Sequence, residues 1–120
     1  MAWKLDDSRS IWPQLKEVIK KDIISGKYQP GGSFPTVRDL ALEAGVNRNT
    51  MQRAMSELED EGLIITNRTS GKTVTDNGEL ILKIRRELAM VNAINYLEEM
   101  KALGYSIESA ANLLKEISEK

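Results

Sequence analysis

The chain has 120 residues, 41% apolar and 29% charged, with a formal net charge of −1. That size and balance describe a soluble domain, or a domain with an appendage. The absence of cysteine and histidine excludes disulfides, Cys/His zinc sites and Ser-His or Cys-His catalytic pairs. The start, MAWKLDDSRS, is too polar for a signal peptide. No apolar run approaches the roughly 20 residues that span a bilayer. A cytoplasmic protein is expected, with no membrane partner, no cofactor, no metal and no catalytic residue. Carboxylate pairs such as Glu98-Glu99 and Asp60-Glu61 read as exposed helix ends.

In chain order, Trp3 lies in a short arm that could pack on its own domain or on a partner. Pro13 suits the first turn of a helix. Leu15, Val18, Ile19, Ile23 and Ile24 recur at helical spacing and form its core face, with Trp12 as a core anchor. Gly26 ends this helix, and Pro30-Gly31-Gly32 makes a turn.

The segment Phe34 to Arg53, FPTVRDLALEAGVNRNTMQR, is the most informative. Pro35 holds Phe34 extended. Thr36 is a good N-cap, and Asp39 suits the positive end of a new helix. Val37, Leu40, Ala41 and Ala44 give it one apolar face. Gly45 occupies a left-handed C-cap position, and Val46 plugs the turn. Asn47 caps a second helix, whose buried face is Met51, Ala54, Met55 and Leu58. Arg48, Asn49, Gln52 and Arg53 lie off that face. So short a turn forces a steep crossing of the two helices, the form of a helix-turn-helix DNA reader. In such readers the start of the second helix enters the major groove. Arg, Asn and Gln make paired hydrogen bonds to guanine or adenine edges. The plainer alternative is a helical hairpin with a solvated polar face.

Leu63-Ile64-Ile65-Thr66, a polar loop from Asn67 to Lys72, and Thr73-Val74-Thr75 then read as a β-hairpin. Directly after a recognition helix, a hairpin is a wing. Arg68 and Lys72 would meet phosphates there, and Gly71 would let the backbone approach closely.

With these motifs in order, the chain resembles the GntR family of bacterial transcriptional regulators. The resemblance rests on Ile11-Trp12-Pro13-Gln14-Leu15, Ser25-Gly26-Lys27-Tyr28-Gln29-Pro30-Gly31 and Phe34-Pro35-Thr36-Val37-Arg38-Asp39-Leu40-Ala41. It continues through Gly45-Val46-Asn47-Arg48-Asn49-Thr50 and Leu58-Glu59-Asp60-Glu61-Gly62-Leu63-Ile64. It implies that Arg38, Arg48, residues around Thr50 and Gln52, and the glycine-bearing wing tip touch operator DNA. Many members carry arginine where this chain has Gln52, and Gln pairs with adenine where Arg pairs with guanine. The expected roles are base reading by Arg48 and Gln52, supported by Asn49 and Thr50. Phosphate contacts fall to Arg38, Arg53, Arg68 and Lys72, with Gly71 at the wing tip.

The tail reads as two helices. Asp76 or Asn77 caps the first, which runs to about Leu103 with a stripe of Ile81, Ile84, Leu88, Val91, Ile94 and Leu97. Gly104 ends it. Ser106 caps the second, whose face is Ile107, Ala110, Ala111, Leu114 and Ile117. So much apolar stripe beside a small domain predicts a homodimer, since helix-turn-helix readers bind two half-sites by two-fold symmetry; the alternative is that the stripe packs back onto the first helix of its own chain. The short tail resembles the small YtrA-type branch of the family, whose members dimerise through this extension and are often associated with control of membrane transporters.

The expected fold is therefore mainly α with a small β-hairpin. A winged helix-turn-helix domain spans residues 1–75 and a two-helix dimerisation extension spans 76–120. The expected function is a repressor that binds a palindromic double-stranded DNA operator. Two alternatives stand beside it: a winged-helix protein-interaction module, and a regulator gated by a small-molecule effector at the C-terminal helices.

Overall fold

A computed structural model of the chain describes residues 2–69 and 71–120. The elements run α1 (Ile11–Ile24), α2 (Val37–Ala44), α3 (Arg48–Asp60), β1 (Ile64–Asn67), β2 (Gly71–Val74), α4 (Gly78–Ala102) and α5 (Ile107–Ser118). The chain divides into two compact units, Met1–Ile84 and Arg85–Lys120. The division falls inside α4, where the sequence pattern suggests a boundary near residue 75.

Each helix boundary has a local cause. Pro13 sits in the first turn of α1, where no intrahelical donor is lost. Thr36 Oγ1 accepts from the Asp39 amide at 3.1 Å and caps α2. Gly45 ends it with φ +74°, a conformation costly for any residue with a Cβ. Asn47 Oδ1 accepts from the Asn49 amide at 2.7 Å, so Asn47 caps α3, as its spacing predicts. Asn77 Oδ1 accepts from the Leu80 amide, which makes Asn77 the cap of α4.

In the first unit α3 is the central element, packed against α1, α2 and β1. The core takes Leu15 and Ile19 from α1, Leu40 from α2, and Met51, Met55 and Leu58 from α3, with Leu63, Ile64 and Val74 from the hairpin. Burying each such side chain contributes roughly 1.5–3 kcal/mol. The spacing in α3 is fully realised, because Met51, Ala54, Met55 and Leu58 are all buried. Trp12 departs from the expected core role. It is only half-buried, and its ring faces two cations of α1 and α3.

The hairpin is tighter than the sequence suggests. β1 and β2 pair antiparallel from Ile64↔Val74 to Asn67↔Gly71, so Asn67, Gly71 and Lys72 belong to strands. Of the loop residues, Ser70 lies outside the described residues. The segment before α2 also joins β2: the Phe34 amide donates to the Lys72 carbonyl at 2.8 Å, and the Val74 amide to the Gly32 carbonyl at 2.9 Å. This pairing ties the entry to α2 to the wing. Its partners lie about forty residues apart in sequence, so no local pattern announces it.

In the second unit the Tyr96 hydroxyl donates to the Ala110 carbonyl at 2.9 Å, tying α4 to α5. Ser106 and Ser109 form a reciprocal capping box at the start of α5. No helix among the described residues is long and apolar enough to cross a membrane.

Candidate nucleic-acid interface

The first turns of α2 and α3 enclose an open cleft of about 380 Å³, lined by Val37, Asn47, Arg48, Asn49 and Gln52. Arg38, next to Val37 on α2, is exposed, as are Arg48, Asn49 and Gln52. Their positions follow from helix geometry. Arg48 and Gln52 stand one turn apart on one face of α3, which Met51 and Met55 orient by burying the opposite face. Gln52 Nε2 donates to Ser56 Oγ at 2.9 Å, which directs its amide along the helix.

Thr50 is separated from this group. Two residues past Arg48 puts it on another side of the helix. It is half-buried and lines a second cleft of about 480 Å³, shared with Ala2, Trp3 and Leu5 of the N-terminal arm. The arm lies on its own domain. The Trp3 amide donates to the Ala44 carbonyl at 3.2 Å, and Trp3 Nε1 donates to Glu43 Oε2 at 2.9 Å. Ala2 packs so closely on the turn that a Cβ at Gly45 would come within 2.9 Å of its own.

Charge pairing separates the cations. Lys16 bridges Glu57 and Glu61 at 3.1 and 2.6 Å, and Lys20 reaches Glu61 at 2.9 Å. Burial disfavours the Glu61 carboxylate, but hydrogen bonds and charges from Lys16 and Lys20 outweigh it and hold its pKa below the ordinary value. Burial likewise opposes the Lys16 charge, and Glu61 and Glu57 outweigh it in the raising direction. Lys72, expected as a free phosphate ligand, is paired instead: its ammonium is held by Glu59 of α3 and Thr66 of β1, and its side chain is 18% exposed. A phosphate there would compete with a carboxylate already in place. Arg38, Arg48 and Arg68, by contrast, are exposed and form no ion pair among the described residues. The Arg53 guanidinium lies over the Trp12 ring, its central carbon 4.2 Å from the centroid. Gly71 opens β2 with φ +75° and no heavy atom near the position of a Cβ, so the backbone is open to close approach.

This is a winged helix-turn-helix whose second helix opens on a polar, arginine-bearing exposed face. The model of the family described as bacterial regulatory proteins, gntR family, matches residues 13–74. The chain belongs to the GntR family. Among relatives of this GntR protein, the HTH-type transcriptional repressor YtrA of Bacillus subtilis is 31% identical, over 92% of this chain and 86% of its own. A GntR family transcriptional regulator from Listeria monocytogenes superposes with a TM-score of 0.85 at 34% identity, covering 93% of this chain and 98% of that one. The AraR DNA-binding domain, solved in complex with operator ORX1, superposes with a TM-score of 0.52 at 29% identity over 62% of this chain and 92% of its own. The protein is a GntR-family helix-turn-helix transcriptional regulator, and its likeness to YtrA and to the Listeria protein extends over the C-terminal helices.

The expected dimer residues divide in this regulator. Ile84 is only 5% exposed within the single chain, so it belongs to the core and not to an open interface. Ile81, Leu88 and Leu97 are half-buried. Val91 and Ile94 stand 55% and 48% exposed. On α5, Ala110 alone is buried, while Ile107, Leu114 and Ile117 are open to solvent.

Proposed function

We propose that this regulator is a cytoplasmic repressor that binds a palindromic double-stranded operator as a homodimer. One observation carries the reading: the start of α3 has no acidic residue in its first turn and presents an arginine, Arg48, that no carboxylate neutralises among the described residues. A cation at a helix N-terminus opposes the macrodipole. A residue placed against its local preference points to a role outside folding. DNA docked at this helix end satisfies both: a nearby phosphate meets the dipole, and the arginine reaches a base edge.

In this reading Arg48 and Gln52 meet base edges in the major groove, with Asn49 beside them. Arg38 holds phosphate at the start of α2. Arg68 and the open backbone at Gly71 meet the sugar-phosphate chain from the wing. Thr50 acts from the arm side of the helix. Lys72 positions the wing against α3 through Glu59 and leaves the phosphate role to Arg68. Repression is supported by the name of the YtrA relative, and operator binding by the AraR complex. Dimerisation is supported by the apolar surface of the second unit: Val91 and Ile94 on α4, and Ile107, Leu114 and Ile117 on α5. A second copy covering that surface would bring two recognition helices to two half-sites.

The test is fluorescence anisotropy of the purified protein with DNA from immediately upstream of its coding region, across a salt series with random DNA as competitor. Tight binding that resists the competitor, with two protomers per site, supports the reading. Binding without salt dependence refutes it and favours a protein-interaction module.

A further inference from the structure

The flank of α3 that faces α1 carries a charge arrangement that base reading does not use. Lys16 and Lys20 of α1 are matched by Glu57 and Glu61, two cations against two carboxylates at 2.6–3.1 Å. Arg53 is the cation left over. Its nearest carboxylate contact is Nε to Glu57 Oε2 at 3.7 Å, and it donates no hydrogen bond among the described residues. Its guanidinium lies over the Trp12 ring, with the central carbon 4.2 Å from the centroid. The Lys16 ammonium stands 6.0 Å from the same ring. The Arg53 side chain is still 62% exposed.

We propose that Trp12 is the positioning residue for Arg53, presenting its guanidinium as a phosphate clamp on the flank of the recognition helix. This rests on the DNA-binding reading above. The chemistry favours it over a simple clamp between helices. A guanidinium paired side-on with a carboxylate uses up its in-plane N–H donors. Stacked on an aromatic face it is held by its π-surface, and the donors at its edge stay free. Arg53 is four residues past Asn49 and so lies on the same flank, one turn further from the groove-facing helix end. A cation there, held against the ring with its nearest carboxylate contact no closer than 3.7 Å, suits a backbone phosphate. Arginine side chains lose much rotamer freedom on binding, and a stack formed in advance removes part of that loss.

A phosphate clamp is independent of sequence, so a short mixed-sequence duplex is a sufficient probe. Affinity is measured against salt for the full chain and for Arg53→Gln, Trp12→Ala, Trp12→Phe and the Arg53→Gln/Trp12→Ala pair. Arg53→Gln should reduce the slope of log K against log salt by about 1, one phosphate contact. Trp12→Ala should weaken binding severalfold, Trp12→Phe should restore it, and Trp12→Ala should add nothing in the Arg53→Gln background. A second readout does not depend on tolerance of the alanine change. In a Trp3→Phe protein Trp12 is the one tryptophan, and with excitation selective for tryptophan, duplex should change its emission when Arg53 is present but not in Arg53→Gln. An unchanged slope in Arg53→Gln, or independent losses from the two sites, overturns the proposal while leaving the DNA-binding reading intact. A parent protein with no salt-dependent duplex binding overturns both.

Discussion

Arg48 and Lys72 are both cations beside the recognition helix, yet they stand in opposite circumstances. Arg48 has no carboxylate partner among the described residues and occupies a helix end that disfavours it. Its replacement by alanine should cost about 1–3 kcal/mol of operator affinity and relax specificity at one position in each half-site. The same change should leave the urea midpoint level or slightly raised, since a dipole conflict is relieved. Paired anisotropy and urea titrations check both halves; a fall in stability equal to the fall in affinity contradicts the assignment. Lys72 is fastened to Glu59 and Thr66. Lys72→Met should lower folding stability by about 1 kcal/mol through the unpaired Glu59 and leave the salt slope of DNA binding unchanged. A slope reduced by about 1 returns Lys72 to the phosphate contacts. Sequence could not distinguish these two residues, because whether a cation is neutralised depends on what folds against it.

Among the elements, the seam between α1 and α3 fixes the recognition helix against the scaffold. Its ion pairs give a pH signature whose sign follows from the two shifts. Glu61 has its folded pKa depressed below the ordinary 4.5. It therefore contributes stability above that value, and the contribution is lost as pH falls through the folded pKa. Lys16 has its pKa raised above the ordinary 10.5. Its contribution is present below that value and is lost as pH rises through the folded pKa. Urea midpoints measured against pH should therefore hold between these limits and fall on the acid side. Glu61→Gln should flatten the acid limb, and an unaltered limb removes Glu61 from the account. The α2–α3 turn is the other control on the reading helix. Gly45→Ala must adopt φ +74° and meet Ala2 at 2.9 Å. It should destabilise by more than about 1 kcal/mol, and trimming the arm should recover only the steric part.

At the scale of the whole molecule, the apolar surface of the second unit separates an isolated chain from an assembly. Ile94 is about half exposed in the single chain, so Ile94→Glu should leave the fold intact by circular dichroism. In a homodimer the same charge would be buried against its symmetry mate, at a cost of several kcal/mol. Light scattering should then report monomers, and operator affinity should fall toward that of a single half-site. An Ile94→Glu protein that remains dimeric refutes this surface as the interface. Leu88→Glu is a poorer probe, because Leu88 is already half-buried in the monomer and the charge would also disturb the fold.

Local chemistry by itself determined the helices, their caps, the glycine turn and the helix-turn-helix pairing of α2 with α3. Thr36, Gly45, Asn47 and the Met51–Leu58 face each act through residues within one or two turns, and short-range hydrogen bonding and periodicity are written directly in sequence. The family motifs rest on the same local signals. Tertiary structure alone decided which cations are spent and which are free: Lys72 against Glu59, Arg53 on Trp12, Lys16 between two carboxylates. It also decided that Trp3 docks on α2, that residues 31–34 pair with the wing, and that Ile84 is core. Each of these depends on groups brought together from distant parts of the chain. An ion pair or a strand pairing exists only once the fold has closed the loop between its partners.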